Sequence, residues 1–427
     1  MLKIRDGSAY SCHIFLTYSF LLVFSNTDVA AAEQSTPNTE KEYTYLPLAF
    51  SIVPQISPVE YEPNEVPHLS FNLLAGYYAK LDGFELGGLA NLETEEVYGV
   101  QLAGLTNVVG GKVKGFQAAA GLNLARTDLK GLQVALGANI VGGNVEGFQA
   151  AYGFNLVGSN LDGIQISGAA NIADGYVEGA QGSYGFNIAR GDLKGLQVAR
   201  GANVAGGSVR GFQGAFGLNL GTDIHGLQLS ALNIARGRVG GTQIGVINIA
   251  RRMTGFQLGV VNISGSNTGT SIGLFSFAKS KSLHPRFWTT DTENANMGLR
   301  FGSSRSYNLL MVGAQQNSDP MRWSYGIGMG GHTPLSEHFF MNIDGVVRHV
   351  HYGVWDKDNQ DNFLTKLRVA IGWEQYERLS VFAGVALNVF LSGESESSDF
   401  TYGLDYLTEW GDVKIRLWPG VFAGVQF

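Results

Sequence analysis

From Gly83 to Ser271, apolar and polar positions alternate with a period of two inside a unit that itself recurs. In the unit beginning at Gly115, Phe116, Ala118, Ala120, Leu122 and Leu124 fall on one side of an extended chain. Gln117, Ala119, Gly121 and Asn123 fall on the other. Period two is the signature of a strand, not of a helix. Units start at Gly83, Gly99, Gly115, Gly131, Gly147, Gly163, Gly179, Gly195, Gly211, Gly226, Gly241, Gly255 and Gly269. The first eight spacings are 16 residues and the rest are 15, 15, 14 and 14. Each unit reads Gly, apolar, Gln, apolar, small, variable, Gly, apolar, Asn, apolar, then a polar break such as "GGN", "RTD" or "GSN". Such breaks are turn chemistry. Self-similarity at a fixed period marks a repeat architecture, which is one object whatever its length.

Two folds satisfy this pattern. In the first, each unit is one strand of an antiparallel, up-and-down outer-membrane β-barrel, whose crossing strands need about 9–11 residues, apolar toward lipid and polar toward the lumen. The alternation of two unit flavours, "GFQAAYGFNLVGSNLD" and "GIQISGAANIADGYVE", fits an up-and-down meander with different turns at its two ends. In the second, each unit is one coil of a β-solenoid with amides stacked in ladders, followed by a C-terminal barrel. Three details fit the solenoid better. Arg200 would face lipid in a barrel, at roughly 2–4 kcal/mol near the midplane. The position two before each Gly from Gly99 to Gly211 (Val97, Val113, Leu129, Val145, Leu161, Val177, Leu193, Val209) is always apolar, which is odd for a turn. Units of 14 residues break strict alternation unless a bulge absorbs the slip. The all-β barrel built largely from 14–16-residue repeats is the fold adopted at this point. Gln117, Asn123, Gln133, Asn139, Gln149, Asn155, Gln165 and Asn171 then become lumen positions, or ladder positions in the alternative.

Past "SIGLFSFAKS" the repeat dissolves while β character continues in longer segments, such as "YNLLMVGAQ" and "LSVFAGVALNVFLS". Trp323, Tyr325, Trp355, Trp373, Tyr376, Trp410 and Trp418 suit interfacial aromatic girdles. In "RLWPGVFAGVQF", Leu417, Val421, Ala423, Val425 and Phe427 occupy alternate positions. One strand before the array ("FNLLAGYY", pairing with the last strand), 13 units and seven or eight later strands would make a barrel of roughly 22, within the bacterial range.

Composition narrows the setting. Glycine supplies 59 of 427 residues and charged residues only 15%, well below the usual quarter. A net charge of −7 offers no basic footprint for nucleic acid. Lys3 and Arg5, the apolar "HIFLTYSFLLVF" and the small residues of "VAAAE" together read as an export signal over 1–32. Cys12, the single cysteine, lies inside that signal, so thiol and disulfide chemistry are not expected. The expected divisions are the signal (1–32), an extended, proline-bearing periplasmic lead (33–69), the repeat region (70–280) and C-terminal barrel strands (281–427).

From "SFNLLAGYYAKLDGFELGGLANL" through the Gly-x-Gln…Asn array to "WPGVFAGVQF" (residues 70–427), the chain resembles a surface-repeat family of Gram-negative outer-membrane proteins. The resemblance implies an envelope location, contact with outer-membrane lipid and lipopolysaccharide, and no catalytic residues. The terminal Phe427 is similar to the last residue of outer-membrane barrels, which implies recognition by the barrel-insertion machinery.

Candidate chemistry is sparse. His349 and His351 lie two apart near Asp344, but a metal site needs further ligands; two histidines on a polar lumen face account for them. "DKDNQD" (356–361) starts like a calcium loop, yet Asp361 stands where Gly is needed and Leu367 where Glu is needed. "GIGMGG" is followed by no helix pattern. Glu394 and Glu396 sit in a Ser-rich loop. A dozen copies of Gln and Asn suit structural rows better than a sugar site. The expectation is a structural or passive, porin-like protein for small polar solutes, with a solenoid binding a glycan or protein as the alternative. Neither enzymatic activity, nor a metal, nor a cofactor is expected.

Overall fold

The structure, a computed structural model, describes residues 41–53, 64–279, 283–316, 318, 321–353, 362–376, 379–392, 406–410 and 413–427. The expected signal, the 356–361 loop, and Trp355, Glu394 and Glu396 lie outside these residues. All regular elements among the described residues are strands.

Each repeat makes one coil of two strands. In the unit of Gly115 these are Val113–Ala119 and Leu122–Ala125. They pair with the equivalent strands of the neighbouring coils, always in parallel and in register. Gln117 lies against Gln101 and Gln133, and Asn123 against Asn107 and Asn139. About 13 coils form this β-solenoid. At ~4.8 Å per paired strand, the stack is roughly 60 Å long. Before the array, Ala49–Ser51 pairs in parallel with Leu69–Asn72, and Thr44–Leu46 with Glu65–Pro67, so parts of 33–69 join the coil stack.

The antiparallel repeat barrel is thereby corrected to the alternative. Alternation alone cannot separate the two folds, because both turn Phe116 and Ala118 outward and Gln117 inward. The difference is a corner at 120–121, which splits the apparent ten-residue strand and sends the chain around to its own start. The apolar residue two before each Gly is core: Val97, Val113, Leu129, Val145, Leu161, Val177, Leu193 and Val209 form one buried column. The 15- and 14-residue units shorten the coil and keep Gln on Gln and Asn on Asn, with a register shift between Ala235 and Arg238. The alternation of the two unit flavours is steric. Phe154 and Phe186 alternate along one outward column with Ala138 and Ala170, which they help to bury.

Glycine at the head of each unit has a backbone cause. Gly83 through Gly211 hold φ between 133 and 151°, where L side chains are strained. A Cβ on Gly147 would also overlap the carbonyl oxygen of Gly131 in the coil below.

The C-terminal region is a closed barrel of eight antiparallel strands. They are β1 (His284–Thr290), β2 (Ala295–Gly302), β3 (Ser306–Gln315), β4 (Arg322–Pro334), β5 (Phe339–Tyr352), β6 (Phe363–Tyr376), β7 (Leu379–Ser392) and β8 (Val413–Gln426). Closure is between β1 and β8, with Arg286 opposite Gln426 and Trp288 opposite Gly424. Thus "FNLLAGYY" belongs to the coils, and the strand count of roughly 22 falls to eight because the repeats are absent from the wall. The ends of β2, β4 and β6 and the starts of β3, β5 and β7 share one rim, where few residues separate the strands. The ends of β3, β5 and β7 and the starts of β4, β6 and β8 share the other, where the separations are longer and Tyr406–Trp410 pairs antiparallel with β8. Along β8, Val421 points out while Trp418 and Phe422 point in, so Trp418 is no girdle residue. Trp323 and Tyr325 do lie outside near the long-loop rim, and Trp373 lies outside near the short-turn rim.

The solenoid ends against the outer wall of β2 and β3. Its last coil would present unpaired peptide groups, a costly edge. Ser303 Oγ donates to Gly269 O and Ser304 Oγ to Asn267 O. Ser306 Oγ both donates to Ser271 O and accepts from Ser271 N. Asn308 Nδ2 donates to Gly273 O at 2.7 Å, and its Oδ1 accepts from Ser276 N at 2.8 Å. Phe277 stacks on Phe301 with centroids 5.0 Å apart. Ser306 and Asn308 fall on the same side of β3 as the exposed Leu310 and Val312. They are polar residues on an apolar wall because they finish the coil ladder.

Candidate functional surfaces

Gln117, Asn123, Gln133, Asn139, Gln149, Asn155, Gln165 and Asn171 are all 0% exposed. They are ladder positions inside the coils, and neither a lumen lining nor a sugar-binding surface. Each Gln Nε2 donates to the Gln Oε1 of the preceding coil, as in Gln133 to Gln117 at 2.7 Å and Gln149 to Gln133 at 2.8 Å. Each Asn Nδ2 donates the opposite way, to the Asn Oδ1 of the following coil, as in Asn139 to Asn155 at 2.8 Å. Its second proton goes to a backbone carbonyl, Ala150 O for Asn139, which fixes the orientation of the amide. The two rows therefore run antiparallel and their dipoles oppose. With both hydrogens and the oxygen of each Asn committed, no amide is left for a solute.

The Gln row needs an acceptor at its N-terminal end, and Glu85 and Glu93 supply it. Gln101 Nε2 donates to Glu85 Oε2 at 2.9 Å and to a Glu93 oxygen, while Asn72 Nδ2 donates to Glu85 Oε1 at 2.7 Å. Both carboxyls are buried. Burial raises the Glu85 pKa, partly offset by hydrogen bonds from Glu93, Gln101 and Asn72. Burial, reinforced by the charge of Glu85, holds Glu93 well above the usual carboxylate range. One proton on Glu93, shared with Glu85, makes the pair tolerable in the interior.

The barrel interior is also filled. Eight strands leave room only for side chains. Arg348 pairs with Glu293 and donates to Asn296 Oδ1 at 2.7 Å. Arg368 pairs with Asp344 at 2.6 Å, and Tyr307 Oη donates to Asp344 Oδ2 at 2.6 Å. Lys366 Nζ donates to Thr292 Oγ1, and Trp418 Nε1 and Asn388 Nδ2 to Asp291 Oδ2. Apolar layers, one of them around Trp288, Met311, Phe340, Phe382 and Phe422, complete the plug. Sequence reading missed this network. Its signal was present in Arg348, Lys366 and Arg368, charges at alternate positions of otherwise apolar strands. A polar cavity of about 340 Å³ opens at the short-turn rim, lined by Arg300, Tyr307, His332, Glu374 and Gln426 among others. On the outer wall an apolar groove of about 890 Å³ runs past Met297, Leu310, Ile327 and Val347.

His349 and His351 do not face the lumen. They alternate with Arg348 and Val350, which do, and stack outside with Trp323 and Tyr325. Their facing nitrogens are 2.7 Å apart. Asp344 points inward to Arg368, so the three do not converge. No cluster of three metal-ligating side chains occurs among the described residues.

On the coil exterior, polarity is segregated. The positions before each Gly and the turn at 126–128 carry the charges, paired between coils as Lys130–Glu146 at 2.8 Å, Arg190–Asp174 at 3.1 Å and Lys112–Glu96 at 3.1 Å. Apart from Arg200, the rest of the circumference is largely apolar. A scan of protein-family models and searches of curated proteins and of solved structures find no match to this chain, so the functional reading rests on the architecture.

Proposed function

We propose that the chain is an outer-membrane-anchored β-repeat scaffold, in which the barrel is the anchor and the solenoid is the working surface. The observation that carries this reading is the inverted polarity of the barrel. Arg348, Lys366 and Arg368 are inside, while Leu299, Val312, Ile327, Val347, Leu367 and Val385 stand exposed around the wall. A soluble barrel would hide the second set in preference to the first. A bilayer solvates such a wall. The filled lumen makes the barrel an anchor and not a porin-like passage. The solenoid then offers a long rigid surface for non-covalent interaction, with the charged ridge at 126–130 and its equivalents as the face open to a polar partner. The likeness to surface-repeat outer-membrane proteins and the leader-like start of the chain point the same way, with lipid, lipopolysaccharide and the insertion machinery as the corresponding partners and Phe427 as the insertion signal. Two measurements test this. The chain should remain in the membrane pellet after an alkaline carbonate wash and give no steady conductance in a planar bilayer. Release by carbonate would remove the anchor, and a stable open channel would restore the pore.

A further inference from the structure

Five outward columns of the coil are apolar. They follow the Gln strand (Leu132, Val134), the corner after it (Leu136, Tyr152, Tyr184, Phe216) and the Asn strand (Phe154, Phe186, Ile263). The corner protrudes most, with Tyr152 82% and Phe216 80% exposed. This surface runs the length of the stack, far beyond the few hundred Å² that a soluble monomer tolerates. Apart from Arg200, the charges lie on the opposite edge. The section of the solenoid is therefore that of an amphipathic element whose peptide and amide groups are all turned into its own ladders. That is the requirement for contact with hydrocarbon.

The joint shows where this surface lies. The last coil is fastened by Ser303, Ser306 and Asn308 to the outside of the barrel wall, beside the short-turn rim. There its apolar columns, through Phe275 and Phe277, become continuous with Phe301, Leu299 and Leu310 of the wall. The stack therefore leaves the wall at the short-turn ends of β2 and β3. Arg200, the charged residue of the corner column, lies over the ring of Tyr184 at 4.8 Å, an arrangement suited to headgroup depth and costly at a midplane.

We infer that the solenoid lies flat in the membrane leaflet at the short-turn rim of the barrel, with its apolar corner among the acyl chains and its charged ridge in water. This rests on the barrel being membrane-embedded. Amphipathic elements of this kind bury about 5–10 Å into the headgroup and acyl boundary. In bacterial barrels short turns face the periplasm and long loops the exterior, so the coils line the inner leaflet of the outer membrane and present the charged ridge to the periplasm.

Single cysteines test the placement in the full-length chain with Cys12→Ser. Positions are Tyr152→Cys and Phe216→Cys on the corner, Lys130→Cys on the ridge and Val347→Cys on the barrel wall. Each is labelled with bimane and reconstituted into phosphatidylethanolamine–phosphatidylglycerol vesicles with or without brominated acyl chains. The expected result is quenching at 152 and 216 comparable with that at 347, and none at 130. Quenching at 347 alone would overturn the inference while leaving the anchor intact. Loss of quenching at 347 as well would remove the anchor reading itself. Corner labels that ignore brominated lipid but quench one another between molecules would assign the surface to a second copy and overturn it too. In intact cells, Lys130→Cys should react with a membrane-impermeant maleimide only after the outer membrane is permeabilised; reaction beforehand would overturn the periplasmic side.

Discussion

At the residue scale, a ladder amide does more by being irreplaceable than by the energy of its bonds. A typical net hydrogen bond stabilises by about 1 kcal/mol, whereas an orphaned buried partner costs about 1–3 kcal/mol. Gln149→Leu strips Gln133 Oε1 of its donor and Gln165 Nε2 of its acceptor, so it should destabilise by roughly 2–5 kcal/mol, read as a lowered thermal midpoint in detergent. No change would mean that the row is not formed. The Glu85–Glu93 pair behaves in the opposite sense. Because the folded pKa of Glu93 is raised, folding keeps a proton that the unfolded chain gives up above its own pKa of about 4.5. Stability is full below that value and declines as pH rises toward the folded pKa. Glu93→Gln, which keeps the shape without the proton, should raise the midpoint at pH 7 and flatten its pH dependence between pH 4 and pH 7. A lower midpoint at pH 7 would contradict the proton-sharing arrangement.

At the element scale, the unit of stability is the coil. Its contacts are with the coils above and below, so stability is close to a sum over coils and interfaces. Deleting 147–162, one full coil, should leave a cooperative fold, because Gly131 then meets Gly163 in the same register. Deleting only 147–154 should abolish cooperative melting, because Gln133 is then set against Val157 and Asn139 against Gly163. The end of the stack depends on the barrel. Asn308→Leu removes the acceptor of Ser276 N and the donor to Gly273 O, so amide exchange over 271–276 should accelerate while β5–β7 stay protected. Equal rates would show that the cap is dispensable. Much of this was legible in the chain. The Gly, Gln and Asn rows, the unit boundaries and the inward side of each strand follow from period-two alternation. The path of the chain between strands did not follow, because Ala120–Gly121 bends as readily as it extends. The apolar residue two before each Gly, the position of Arg200 and the 14-residue units were the three clues that favoured coils. Ser306 and Asn308 were illegible as caps, since their partners lie on a separate element. The outward turn of His349 and His351 depends on where β5 enters the wall.

At the scale of the whole molecule, two modules share one rule: polar side chains inside, many of them in ladders or ion pairs, and apolar side chains outside. In the barrel this gives an anchor with a packed lumen, and in the solenoid a ribbon with an amide interior. The central claim is that the repeats wind as parallel coils. A single distance tests it most directly. Lys114 and Lys194 are exposed and occupy the same place in units five repeats apart. With spin labels on Lys114→Cys and Lys194→Cys in the full chain with Cys12→Ser, pulsed electron paramagnetic resonance should give about 24 Å, five spacings of ~4.8 Å. A distance near ~40 Å, which an odd number of strand reversals would impose, would contradict it.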